Sequence, residues 1–101
     1  MKNLRHVVMF KFKDSATADD VQKIVDAFGL LPAKMPTITA FEWGTNNSPE
    51  NLNQQFTHCF MLTFATEQDR DNYLIAAEHK AFVAVLRPHL EKAFVLDYWA
   101  Q

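Results

Sequence analysis

Four histidines, two tyrosines and one cysteine supply most of the reactive side chains of this chain. An imidazole, with a free pKa of about 6.5, can take or give a proton near neutral pH. His6, His58 and His79 all sit inside apolar patterns, and Tyr73 lies six residues before His79. His89 follows Pro88 and reads as exposed. Three histidines can also hold zinc, but no HxH or HxxxH spacing and no cysteine pair accompanies them, so no metal is expected. Neighbours on a strand face opposite sides, which separates Cys59 from His58 and argues against a Cys–His couple. With Gly29 and Gly44 as the only glycines there is no glycine-rich phosphate loop, and there is no nucleophile elbow.

The elements that must position these groups follow from periodicity. Residues 5–13 alternate, with His6, Val8, Phe10 and Phe12 on one side and Val7, Met9, Lys11 and Lys13 on the other, which predicts a strand. In "TADDVQKIVDAFGLL" Thr17 is an N-cap with Asp20 as capping-box acid. Val21, Ile24, Val25, Phe28 and Leu31 form one stripe of a helix, and Pro32 makes Leu31 its last residue. Residues 38–45 read as a second strand, "NNSPENLNQQ" as a loop, and residues 57–64 as a third strand. Thr66 caps a segment over 67–87 that reads as two short helices jointed near 76–79. Pro88 kinks or ends the second, and residues 93–99 form a last strand.

The order β-α-β-β-α-β is the split βαβ pattern, an α+β ferredoxin-like domain with a four-stranded antiparallel sheet. The first and third strands are expected at its centre and are read as running parallel, so that His6 and His58 begin at the same end. The helix after the third strand returns toward that end with Tyr73 and His79. Three histidines and a tyrosine would then line a pocket between sheet and helices, walled by Phe10, Phe60 and other apolar residues.

Both sheet faces read as apolar: Cys59 and Met61 oppose Phe60, Leu62 and Phe64, and Val7 and Met9 oppose Val8, Phe10 and Phe12. Helices cover one face. At about 25 cal/mol per Å2 the other is costly to leave wet. The expected solution is a two-fold homodimer, packed sheet to sheet, with Cys59 in the interface.

One hundred and one residues make one domain, spanning 1–101. A net charge of −2 gives no case for nucleic acid, and the apolar stretch near the N-terminus is too short for a membrane span. A single cysteine suits a reducing compartment, so a cytoplasmic protein is expected.

"RHVVMFKFKD", "FTHCFMLTFATEQDRDNYL", "EHKAF" and "VLDYW" together resemble the stress-responsive A/B barrel family of the dimeric α+β barrel superfamily, over nearly the whole chain. The resemblance implies a subunit whose sheet pairs with its copy to form a barrel. It also aligns His79 with the general base of a plant polyketide cyclase that works without metal, Tyr73 with the assisting tyrosine, and His6 and His58 with pocket histidines. Relatives usually carry His-Pro where Ala76 and Ala77 stand, and glycine where Cys59 stands. Two functions follow: a pocket that binds a hydrophobic small molecule without turnover, or a cofactor-free acid–base lyase or cyclase using His79 and Tyr73. A haem- or quinone-type monooxygenase is a third reading. It would need an axial ligand and polar groups that this pattern does not place.

Overall fold

Alternating and helical apolar patterns resolve into four strands, β1 (Leu4–Phe12), β2 (Ala40–Thr45), β3 (His58–Phe64) and β4 (Leu90–Trp99). The helices are α1 (Ala18–Gly29), α2 (Leu31–Lys34), α3 (Glu67–Ile75) and α4 (Ala77–Leu86). The computed structural model describes residues 2–101. The sheet order is β2-β3-β1-β4 and every neighbouring pair is antiparallel, which is the ferredoxin-like α+β fold.

The direction of β3 corrects the sequence reading. β1 and β3 are central neighbours but run antiparallel, with Leu4 opposite Phe64 and Phe10 opposite His58. Period-two alternation reports which face a side chain takes and is silent on strand direction. The loop from β2 to β3 reverses the chain, so His6 and His58 lie toward opposite ends of the sheet.

Pro32 also acts differently from expectation. α1 ends at Gly29, Leu30 caps it, and Pro32 sits in the first turn of the short α2. There its missing N–H and fixed φ cost nothing. The capping box at α1 is complete. The Asp20 N–H donates to Thr17 Oγ1 at 3.1 Å and the Thr17 N–H donates to Asp20 Oδ2 at 2.9 Å. Thr66 caps α3 in the same manner, accepting from the Asp69 N–H at 3.0 Å.

The core lies between the sheet and the helices. Phe10, Phe60, Leu62 and Phe64 point inward from β1 and β3 to meet Ile24 and Phe28 of α1 and Phe82 and Leu86 of α4. Phe28 is central: its ring stacks on Phe60 and tilts onto Phe82, each with centroids 4.5 Å apart.

Two surfaces remain uncovered. On the helix-free face, Val7, Met9, Cys59 and Met61 continue into Phe94, Leu96 and Tyr98 of β4, which are about half exposed. On the other face Val95 stands opposite the inward-facing Val8, yet it is 55% exposed. The helical layer thus leaves β4 open at Val95, while α3 reaches the end of that strand through Arg70 and Glu67. Among the described residues no helix is long and apolar enough to cross a membrane.

Candidate functional site

His6 is the third residue of β1 and points under the helices, only 4% exposed. A buried imidazole needs a partner. Its directly opposed residue on β4 is Asp97, and Asp97 Oδ1 lies 2.7 Å from His6 Nδ1. An ionised carboxylate can only accept, so Nδ1 donates, and that bond fixes the ring. The second carboxylate oxygen, Asp97 Oδ2, accepts from Arg70 Nη1 at 3.0 Å, while Arg70 Nε donates to Asp71 at 2.9 Å. Arg70 and α3 thus hold the carboxylate that holds His6.

Tyr73 packs edge-on against His6 with ring centroids 5.9 Å apart, and the imidazole of His79 packs edge-on against Tyr73 at 4.7 Å. Tyr73 and His79 could not meet on one continuous helix. At about 100° per residue, six residues place side chains roughly 240° apart. The break between α3 and α4 makes the contact. Ala76 is extended, with φ −69° and ψ 149°, and its N–H returns to the Tyr73 carbonyl at 3.2 Å. This is the backbone shape imposed on a residue before proline, here adopted with Ala77 in the following position.

The electrostatics of the cluster suit proton transfer. Burial pushes the His79 pKa below its ordinary value. The nearby His6 adds to that shift, and the Leu74 carbonyl opposes it. Tyr73 is 1% exposed, and burial pushes its phenol well up, so it stays a protonated donor at neutral pH. The site therefore pairs a neutral imidazole with a neutral phenol beside a second imidazole clamped by a carboxylate.

His58 does not join them. Its ring lies parallel to Trp43 at 6.1 Å and edge-on to Phe12 at 5.2 Å, and Nδ1 is 2.8 Å from Thr57 Oγ1. Burial lowers its pKa as well. It lines a hollow of about 740 Å3 with Trp43, Phe56, Cys59, Met61 and Phe94. The expected convergence of three histidines is thus a convergence of two, because β3 runs the other way. Phe10 and Phe60, 2% and 0% exposed, belong to the packed core between the two histidine ends. Cys59 faces the helix-free side, with its thiol pushed up by burial and by the nearby Glu42 carboxylate. His89 is partly buried rather than exposed, and its Nδ1 lies 3.6 Å from Asp20 Oδ2.

Two residues of the cluster escaped the sequence reading, Asp97 and Arg70. The signal for Asp97 was present: it is the one charge in "AFVLDYW", an otherwise apolar strand. The register that places it opposite His6 is a tertiary fact. Arg70 lies among other charged residues in "TEQDRDNYL" and carries no comparable mark.

Residues 4–100 match the family described as Stress responsive A/B Barrel Domain. The stress-response A/B barrel domain-containing protein HS1 of Arabidopsis thaliana is 30% identical over 95 residues, covering 94% of this chain and 87% of that protein. Olivetolic acid cyclase of Cannabis sativa is 26% identical over 95 residues, covering 94% of each. Among solved structures, hydroxynitrile lyase from Passiflora edulis matches with a TM-score of 0.92 at 26% identity, covering 99% of this chain and 94% of that one. With its fold and almost its whole length matched, the chain belongs to the stress-responsive A/B barrel domain family.

Proposed function

We propose that this chain is a homodimeric, cofactor-independent acid–base enzyme that binds a carbonyl compound with an apolar body beside His79. The observation that carries the reading is the edge contact of Tyr73 and His79 at 4.7 Å, backed by a His6 ring fixed by Asp97. His79, kept neutral by its surroundings, takes a proton from the carbon next to the carbonyl. The protonated Tyr73 phenol donates a hydrogen bond to the enolate oxygen as charge develops there. His6 positions the carbonyl end of the ligand. The similarity to a cyclase and to a lyase supports chemistry of this kind. The step moves only a proton and electrons within the ligand, so it requires no cofactor.

The dimer rests on the helix-free face. Val7, Met9, Met61, Phe94, Leu96 and Tyr98 form a continuous apolar surface that a second copy would cover sheet to sheet.

The test is proton exchange into D2O at the α-carbon of an aryl or alkyl methyl ketone, followed by NMR. The wild-type protein should accelerate exchange, and His79→Asn should reduce that acceleration by about 10²-fold or more. Tyr73→Phe should reduce it less, while both variants keep the far-UV spectrum and the oligomeric state. Equal exchange by wild type and His79→Asn overturns the reading. Ligand-induced shifts without exchange would leave the same site as a binding pocket.

A further inference from the structure

We infer that the ligand of the His79 site is an amphiphilic carboxylate, its apolar body laid along one flank of α4 and its anionic head held by Lys13 and Arg87. This rests on the reading of His79 given above and extends it to the class of ligand.

An open groove of about 750 Å3 runs along α4 beside the core residues Phe82 and Leu86. Leu74 and His79 stand at one end, Arg87 and Pro88 at the other. Its walls divide by chemistry. Leu74, Val83, Ala84 and Pro88 are apolar, and the polar remainder is cationic: Lys13, Lys80 and Arg87, with His79. No Asp or Glu lines it. The whole chain carries more acids than bases, 12 against 10, so three cations around one groove run against the overall balance.

None of those three cations has a carboxylate within 4.0 Å among the described residues, whereas Lys11 pairs with Glu91 and Arg70 with Asp71 and Asp97. Arg87 alone could be explained as a charge favourable at the C-terminal end of α4. Lys13 has no such reason. It comes from the segment after β1, its N–H donates to the His89 carbonyl at 2.8 Å, and its side chain lines the same groove as Arg87. Two unneutralised cations from separate elements thus line one groove, in which a carboxylate would make charge-assisted hydrogen bonds.

The spacing then sets the ligand. His79 and Arg87 are eight residues apart on a helix rising about 1.5 Å per residue, so the head group sits roughly 12 Å from the imidazole. An apolar body bridging that distance lies against Val83 and Ala84 and presents its other end to His79.

The experiment is an NMR titration of the isotopically labelled protein with decanoate, decyl phosphate and decanol, following the His79 ring protons and the Arg87 amide. Decanoate should shift both and bind roughly tenfold or more tightly than decanol, as expected for a charge-assisted pair. The double variant Lys13→Gln/Arg87→Gln should erase that preference and leave decanol binding unchanged. If decanoate and decanol shift His79 equally with equal affinity, the carboxylate assignment falls while the His79 pocket stands. If decyl phosphate binds more tightly than decanoate, the head group is wrong. If no probe shifts His79, this inference and the pocket reading fall together.

Discussion

His6 and Asp97 face one another across β1 and β4, and their side chains meet at 2.7 Å on the helix-covered side of the sheet. Removing the carboxylate leaves a buried N–H without its acceptor. Asp97→Ala is therefore expected to destabilise the protein by about 1–3 kcal/mol in urea unfolding. Nitrogen NMR of the imidazoles should show His6 losing its fixed Nδ1–H tautomer. Asp97→Asn, which keeps an acceptor, should fall between the variant and the wild type.

Stability should decline on mild acidification. Burial lowers the pKa of both His58 and His79 in the folded chain, so the unfolded chain binds more protons in the interval below the free value of about 6.5. Stability is then fully present above that value and is lost as pH falls through the window toward the lowered folded values. Melting temperatures measured from pH 7.5 to 5 should fall, and the double variant His58→Gln/His79→Gln should show a flatter slope. Asp20 acts in a separate and more acidic window. Hydrogen bonds from the Thr17 N–H and hydroxyl hold its carboxyl below the usual range, so its contribution persists until the carboxylates protonate.

Ala77→Pro should stabilise. Ala77 is the first residue of α4, where a helical N–H has no intrahelical acceptor and where φ suits proline, and Ala76 before it is already extended. The gain expected from a less flexible unfolded chain is about 0.4–1 kcal/mol. Thermal unfolding checks it, and the Tyr73–His79 contact should survive in the variant's NOE pattern.

Leu96→Lys places a charge in the middle of the helix-free face, opposite Val7 of the neighbouring strand. Light scattering at micromolar concentration should show the variant as a monomer and the wild type as a dimer, with helical content unchanged in both.

Most of the architecture was legible because burial leaves periodic marks. The β1 alternation, the Thr17 cap with its Asp20 reply, and the joint near Ala76 are all local patterns, and each stands where the sequence placed it. What was not legible depended on relations between segments. The direction of β3 relative to β1 leaves no local trace, and misreading it put His58 among residues that lie at the other end of the sheet. Pro32 reads equally as the end of one helix and the first turn of the next. His6, Tyr73 and His79 could be singled out by residue type, while Asp97 and Arg70 acquire their roles only through β4 register and α3 packing.

The extended residue between α3 and α4 has a mechanical meaning. Because alanines and not a proline occupy the junction, no ring closure forbids the two helices from merging into one rod. Such a rod would swing the phenol and the imidazole to different sides of its axis. One backbone torsion, ψ at Ala76, therefore governs whether the two groups are neighbours at all.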